Sequence, residues 1–351
     1  MAHPQYNRFN SLKILAYADR LRAIAEGDMP FPIDWHIYPS NICNHTCDWC
    51  MFRQNEEQFI HRNQLPHELL MRACADAVRT GAKLVHVSGG GEPLLNKYTR
   101  EALSWLSTQE ISVALSTNGS LLTPEVTSCV DFVRVSLNAG TRQQHDHTNH
   151  ANDHHSDWDR ILENIRAAAP SKKRDFGLAY VVDHFNWRDI YPFCQVAADC
   201  QVDFVHIRPA FWYEKDQDRA TRAVMPKVYQ ECQRAKQDFG DRVDIFAISE
   251  KFDGYWTPRS YQRCHAIWTG ICLTATGDFA VCQDRTDLRF GAAYQQGASF
   301  EEIWNSKEHI DLVNTVVSPG ELDRCPRCVW NKRNEIIEEV FMKDEMRLSL
   351  V

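Results

Sequence analysis

Residues 41–50 read NICNHTCDWC, and this segment decides how the chain is interpreted. It places Cys43, Cys47 and Cys50 at C-x3-C-x2-C spacing, with Trp49 just before the last cysteine. A [4Fe–4S] cluster normally takes four thiolates, so three on one tight loop leave one iron open to a chelating ligand. Zinc is the alternative, because it accepts thiolates but usually takes four ligands, and His45 could be the fourth only with awkward geometry.

A glycine-rich turn, SGGGEP at 88–93, follows one predicted strand later. Consecutive glycines allow close backbone approach, and their carbonyl groups could receive an ammonium group. The turn lacks the GK[ST] ending of a phosphate-binding loop. A glycine-rich turn alone is usually only a loop. This turn, however, lies one βα unit after the cysteine loop. The two motifs together are a far more specific signal of function than either motif alone.

Around these two segments, predicted helices alternate with short apolar strands, which is typical of a parallel sheet. Six strands fall short of the eight of a complete barrel, so we expect an α/β fold with a partial (β/α)6 TIM-like barrel. Ligands bind at the carboxyl ends of such strands, where both motifs lie. The predicted strands are 35–38, 83–88, 112–116, 132–137, 176–182 and 204–207, and the predicted helices are 12–25, 66–79, 98–107, 124–129, 158–168, 188–198 and 220–241.

The rest of the chain predicts a second, smaller unit. We expect an N-terminal helix and lead-in at 1–34, the barrel at 35–215, a connecting helix at 216–254, an auxiliary domain at 255–335 and a tail at 336–351. The auxiliary region is rich in Trp, Gly and Cys, with short strands. Its fold is predicted to be a β-hairpin plus a helix.

Composition indicates a globular protein with a sizeable core: 351 residues, 44% hydrophobic and 25% charged. No apolar run reaches the roughly 18–20 residues that span a bilayer, and the polar N-terminus lacks a signal-peptide core, so we expect a cytoplasmic protein without a membrane partner. The net charge of −8 and the lack of a long basic run argue against a nucleic-acid scaffold.

Thirteen cysteines form an odd count, which in a long chain favours metal binding over disulfides. Cys264, Cys282, Cys325 and Cys328 are suited to one complete four-thiolate site, which zinc would also accept. Cys272 could replace Cys264, but it lies in a predicted strand and is better explained as a packed thiol. We also interpret as buried core residues Cys74, Cys129, Cys194, Cys200 and Cys232.

The cysteine loop and the GGE turn resemble the signature of the radical S-adenosylmethionine (SAM) superfamily, over about 35–208. The resemblance implies that Cys43, Cys47 and Cys50 ligate a [4Fe–4S] cluster whose fourth iron is chelated by SAM. The glycine turn would contact the methionine amino group, and Trp49 would lie near the adenine. Further cofactor contacts implied by the resemblance are Gly89, Gly90, Gly91, Glu92, Ser116, Asn118, Ser136, Asn138 and Arg208.

The segment RCHAIWTGICLTATGDFAVCQD resembles the hairpin that opens the SPASM/Twitch domains following such barrels. With four suitable cysteines, the chain is similar to the shorter Twitch form. This implies an auxiliary [4Fe–4S] cluster held by Cys264, Cys282, Cys325 and Cys328, hence two clusters in all. It also implies a flavodoxin or ferredoxin-type electron donor.

The implied chemistry is reductive cleavage of SAM to a 5′-deoxyadenosyl radical, which abstracts hydrogen from a substrate in a closed cavity. We expect a dehydrogenase-like radical SAM oxidoreductase acting on a small polar molecule (a sugar, aminocyclitol or nucleoside), with the auxiliary cluster accepting an electron. Only 42 residues precede Cys43, which disfavours a leader-binding domain. The alternatives are modification of a ribosomal peptide, and redox-neutral epimerisation, deoxygenation or decarboxylation. An electron carrier or a zinc module explains the motifs less well.

A histidine-rich stretch follows the fourth predicted strand. We interpret it as a solvated loop and helix cap, with a metal site or a substrate-contacting lid as alternatives. Its histidines are His145, His147, His150, His154 and His155.

Overall fold

The computed structural model describes residues 9–54, 62–151, 155–247, 259–318, 320–325 and 328–343. One sheet of ten strands organises them, in the order β10-β9-β8-β1-β2-β3-β4-β5-β6-β7. Neighbours from β8 through β1 to β7 are parallel, whereas β8, β9 and β10 pair antiparallel. The strands are β1 Asp34–Ile37, β2 Leu84–Val87, β3 Ser112–Thr117, β4 Phe132–Ser136, β5 Asp175–Val182, β6 Phe204–Pro209, β7 Asp244–Ala247, β8 Gly270–Leu273, β9 Phe279–Ala280 and β10 Arg289–Phe290.

Helices connect the parallel strands and cover the sheet. The α-helices are α1 Ala18–Ala25, α2 Met51–Gln54, α3 His67–Arg79, α4 Thr99–Leu106, α5 Pro124–Ser128, α6 Arg142–Asn149, α7 Trp158–Ala168, α8 Ile190–Asp199, α9 Lys215–Phe239, α10 Phe300–Trp304, α11 Lys307–Val316 and α12 Asn331–Ile337. Short 3-10 turns occur at Ser11–Tyr17, Pro93–Leu95, Ala169–Ser171, Trp187–Asp189, Ala266–Trp268, Ala292–Gln296 and Glu321–Arg324, and a π-helical turn at Glu338–Met342. None of the described helices is long and apolar enough to cross a membrane.

Hydrophobic pattern explains these elements. Seven of the eight residues of β5 are buried, as expected for a parallel strand covered on both faces. Helix α7 buries Trp158, Ile161 and Ile165, whose spacing places them on one helical face. The large core formed in this way lies between the sheet and its helices.

The six predicted strands are present, but the sheet is wider than the predicted six-stranded barrel. Strand β7 follows α9 and pairs with β6. Strand β8 pairs in parallel with β1, with Asp34 opposite Gly270. The parallel part of the sheet therefore has eight strands, and the C-terminal hairpin continues the barrel sheet. Sequence reasoning missed this pairing because the partners lie more than 230 positions apart and leave no local signal.

The two ends of the described chain pack together. Ile14 and Leu21 from the N-terminal helices meet Ile336 and Ile337 of α12 in a small apolar cluster. Helix α12 crosses the tail boundary expected at 335/336. The boundary expected at 254/255 lies outside the described residues. The domain limits therefore stay predictions.

Candidate functional site

The cysteine loop leaves the carboxyl end of β1 and lies against the end of helix α6. Thr46 N–H donates to the carbonyls of Asn149 and His150, at 3.0 and 3.1 Å. Asp48 N–H donates to the Thr148 carbonyl at 3.2 Å. These backbone bonds join the loop to a helix about 100 residues away, so that its conformation depends on that helix.

The three cysteines of this loop are partly buried. Burial raises the pKa of the Cys43 thiol to about 12 and that of Cys47 well above its usual value. Within the described part of the chain, the sulfurs of Cys43, Cys47 and Cys50 do not all lie within 4.8 Å of one another.

The glycine turn at the end of β2 packs directly on the approach to the cysteine loop. Gly91 N–H donates to the Ser40 carbonyl at 3.0 Å, and Glu92 N–H to the Ile42 carbonyl at 2.8 Å. A Cβ on Gly91 would lie 2.1 Å from the Ile42 carbonyl oxygen. Glycine is therefore required here to let two backbones meet, which is the close approach expected of consecutive glycines.

Glu92 is 2% exposed, and its carboxylate joins the ends of β2 and β3. It accepts hydrogen bonds from Leu94 N–H at 3.1 Å, from the Thr117 hydroxyl at 2.7 Å and from Asn118 N–H at 2.7 Å. Burial raises the pKa of this carboxyl. Glu92 therefore holds the ends of β2 and β3 together, in addition to its predicted contact with a cofactor.

A cavity of about 380 Å³ opens at the carboxyl ends of the strands. Three of the predicted cofactor contacts do not line it. Trp49 packs with Val181 and Ala210, and Asn138 uses its side-chain oxygen to accept from Val181 N–H at 2.9 Å. The predicted residues that line the cavity are Cys43, Gly89, Gly91, Glu92, Ser116, Asn118, Ser136 and Arg208, while Gly90 faces Asn41.

Polar side chains from the strand interiors form the floor of this cavity, and the sequence analysis missed them. His36 on β1 is the register partner of His86 on β2. The His86 ring contacts the Ser116 hydroxyl at 2.9 Å, to which Arg134 also donates at 3.1 Å. Burial lowers the pKa of His36 to about 4 and that of His86 well below its usual value, so both rings are neutral at pH 7. The available signal was a polar residue inside otherwise apolar strands.

The second group of cysteines comes together from three segments. Cys264, Cys282, Cys325 and Cys328 line one apolar pocket, and the Asn334 amide lies 3.9 Å from the Cys264 sulfur and 3.7 Å from the Cys328 sulfur. Burial raises the pKa of the Cys264 thiol to about 12.

Cys272 lies apart from this pocket. It is fully buried on β8, in a small cluster with Tyr38 and Ala280. The structure thus gives this residue the packing environment expected of a core thiol.

Asp284 lies between the cavity and the second group of cysteines and lines both. Its backbone N–H donates to the Cys282 sulfur at 3.4 Å, and its carboxylate accepts from Val329 N–H at 3.1 Å. The sequence analysis did not single it out, although it stands two positions after a candidate ligand. It places an acidic side chain between the two groups of cysteines.

Comparison with known families agrees with this arrangement. The radical SAM superfamily model matches residues 37–197, which begin at the last residue of β1 and contain the cysteine loop and strands β2 to β5. These residues form a radical SAM domain. A second family model, the SPASM iron–sulfur cluster-binding domain, matches residues 264–329. The enzyme's cofactors are therefore SAM and two [4Fe–4S] clusters, as predicted.

Among curated proteins, this radical SAM enzyme is similar to mycofactocin maturase MftC. It is 28% identical to the protein of Mycobacterium ulcerans (strain Agy99) over 180 residues, 48% of this chain and 45% of that one. With the Mycolicibacterium smegmatis protein (strain ATCC 700084 / mc(2)155), the identity is 24% over 324 residues, covering 86% and 76%. The match thus spans less than half of the first relative.

Among solved structures, the enzyme is similar to Streptococcus suis SuiB bound to S-adenosylmethionine. The TM-score is 0.59 at 15% identity, covering 87% of this chain and 71% of that one. Native anSMEcpe with bound AdoMet gives a TM-score of 0.61 at 16% identity, covering 85% and 87%. These similarities confirm the partial TIM-like barrel with a C-terminal domain.

Proposed function

We propose that this radical SAM enzyme modifies a peptide. The curated relatives are named maturases. Two of the similar structures are of SuiB bound to the precursor peptide SuiA and of anSMEcpe with AdoMet and the Kp18Cys peptide. These comparisons favour the peptide alternative over the small polar substrate that we expected from the sequence. The observation that carries the proposal is one cavity bordered both by Cys43 and by Asp284.

Cys43, Cys47 and Cys50 are proposed as ligands of the first cluster. The Asn118 amide lies 4.0 Å from the Cys43 sulfur, where it can donate to a thiolate. The raised pKa values mean that each thiol must lose a proton as it binds iron. With SAM bound, this centre supplies a 5′-deoxyadenosyl radical that abstracts hydrogen from the substrate.

The cavity walls are proposed to bind SAM through the backbone of the glycine turn and through Ser116, Asn118 and Arg208. The carbonyls of the turn can accept from an ammonium group, and a guanidinium can bind a carboxylate through two hydrogen bonds. The neutral rings of His36 and His86 face the remaining space, where they can donate or accept hydrogen bonds from an amide without adding charge.

The second group of cysteines is proposed to hold the auxiliary cluster, which supplies an electron acceptor beside the substrate. Its four thiols complete the usual ligand set, and the Asn334 amide is placed to donate to two of them. Asp284 would take the proton that the substrate loses when it is oxidised, because its carboxylate reaches the cavity from the cluster side.

The proposal is tested by deuterium transfer. The anaerobically reconstituted enzyme, with dithionite and SAM, is incubated with deuterated peptides translated from short reading frames that flank its gene. Deuterated cyclitols and sugars serve as the parallel set. We expect label in 5′-deoxyadenosine, and a mass change in the product, from a peptide only. Label from a cyclitol or sugar and none from any peptide would overturn the proposal.

A further inference from the structure

Three buried side chains meet behind the cysteine loop. His45 from the loop, His145 from α6 and Asp157 before α7 are 4, 1 and 5% exposed as residues. One potential ligand atom from each lies within 4.8 Å of the other two, and among the described residues no other group of His, Cys, Asp or Glu has this property. His45 stands midway between Cys43 and Cys47.

The contacts inside this cluster are incomplete. His45 Nε2 lies 2.9 Å from one oxygen of Asp157. His145 Nε2 lies 3.8 Å from the other oxygen, Oδ1, which is too far for a hydrogen bond. Both of those atoms are buried without a hydrogen-bond partner. A buried donor or acceptor without a partner destabilises the fold, and two facing each other point to something that binds between them.

A metal ion satisfies both atoms at once. Ligand bonds of about 2.0–2.2 Å place two donors of one ion roughly 3–4 Å apart, which matches the separations of 2.9 and 3.8 Å. Burial lowers the pKa of His145, which keeps its ring neutral and able to ligate, and Asp146 contacts its other nitrogen at 3.4 Å, as carboxylates often do for ligating histidines.

Arg160 donates to Oδ2 of Asp157, the oxygen that His45 also contacts, at 3.1 Å. It is the competing cation at this carboxylate. Its side chain is 54% exposed, and the bond leaves Oδ1 available.

We propose that His45, His145 and Asp157 form a binding site for a divalent transition-metal ion. Two imidazoles and a carboxylate are a donor set that suits zinc, iron or nickel. The ion would join the cysteine loop to α6 and α7 and so hold the first cluster's ligands in place. This site is separate from both groups of cysteines and does not depend on the identity of the substrate.

The test measures metal content in the full-length enzyme carrying both clusters. Elemental analysis after washing with a weak chelator should find one equivalent of zinc, or of iron beyond the eight of the clusters, in the wild type. His145→Ala should lose that equivalent while keeping about eight cluster irons. His147→Ala is the matched control: it removes an exposed histidine from the same helix and should keep the metal.

A second measurement covers the case in which His145→Ala does not fold. Wild-type enzyme grown with Co²⁺ should show the visible d–d absorption of cobalt bound by nitrogen and oxygen, in a difference spectrum against zinc-grown enzyme. Absence of both the extra equivalent and the cobalt spectrum in the wild type refutes the site. Equal metal loss in His147→Ala and His145→Ala refutes the assignment of its ligands.

Discussion

Replacing Gly91 with alanine tests how the glycine turn supports the cysteine loop. The new Cβ would lie 2.1 Å from the Ile42 carbonyl oxygen, whereas a comfortable carbon–oxygen contact is about 3.3 Å, so the loop must move by roughly 1 Å. The movement breaks the backbone bonds from Gly91 to Ser40 and from Glu92 to Ile42. Each bond contributes about 1 kcal/mol, so losing both raises the population of displaced loop conformations, relative to the native one, by about 30-fold.

The assay compares 5′-deoxyadenosine formation and iron content in Gly91→Ala and Gly90→Ala. A 1 Å misplacement costs about 100-fold in rate, so SAM cleavage by Gly91→Ala should fall by at least 30-fold while about four auxiliary irons remain. Gly90→Ala should behave like wild type, because its Cβ would clash with the end of the Asn41 side chain, which can rotate away, and would make only an ordinary contact with Phe52 at 3.7 Å. Wild-type cleavage in Gly91→Ala, or an equal loss in Gly90→Ala, would refute the reasoning.

Three further outcomes follow from the site and the core. Cys272→Ala should keep about eight irons by elemental analysis, whereas Cys264→Ala should keep about four; the reverse would exchange their roles. Asp284→Asn should still form 5′-deoxyadenosine but yield at least about 100-fold less oxidised product by mass spectrometry, and unchanged product would exclude proton transfer to Asp284. Burial lowers the pKa of His309 to about 4 from an unfolded value near 6.5, so its neutral form stabilises the fold above pH 6.5 and this contribution is lost as pH falls toward 4. The free energy of unfolding, measured with denaturant at pH 7.5 and at pH 5, should therefore change by about 2 kcal/mol less in His309→Gln than in wild type. An equal change in the two proteins would contradict this.

The six predicted strands are confirmed because each is a short apolar run between turn signals. That pattern can be read from neighbouring residues alone. The strands that widen the sheet, β7 and β8, carry the same kind of pattern but lie in segments interpreted as a connecting helix and a separate domain. Strand β8 joins the barrel by pairing with β1 over four residues, from Asp34 opposite Gly270 to Ile37 opposite Leu273. Pairing between strands so far apart depends on the packing of everything between them.

Among the predicted cofactor contacts, some line the cavity and others do not, and the difference again depends on contacts between distant segments. Ser116 and Arg208 line the cavity, as their positions at strand ends predict. Trp49 and Asn138 have equally suggestive positions, but their side chains turn toward Val181 and are used in packing and backbone hydrogen bonding. Side-chain direction at a strand end depends on the neighbouring strand, which the motif does not contain.

The sequence by itself was enough to predict the chemistry of the first site, because Cys43, Cys47 and Cys50 lie within eight residues and need only one loop to meet. The superfamily and its cofactors follow from that loop and the glycine turn. Tertiary structure alone decided what surrounds it: Asp284 between the two groups of cysteines, and Asp157 against His45 across 112 positions of chain. Contacts at such separations are made by the packed sheet and helices, whose free energy comes from burying apolar surface rather than from the residues that finally touch.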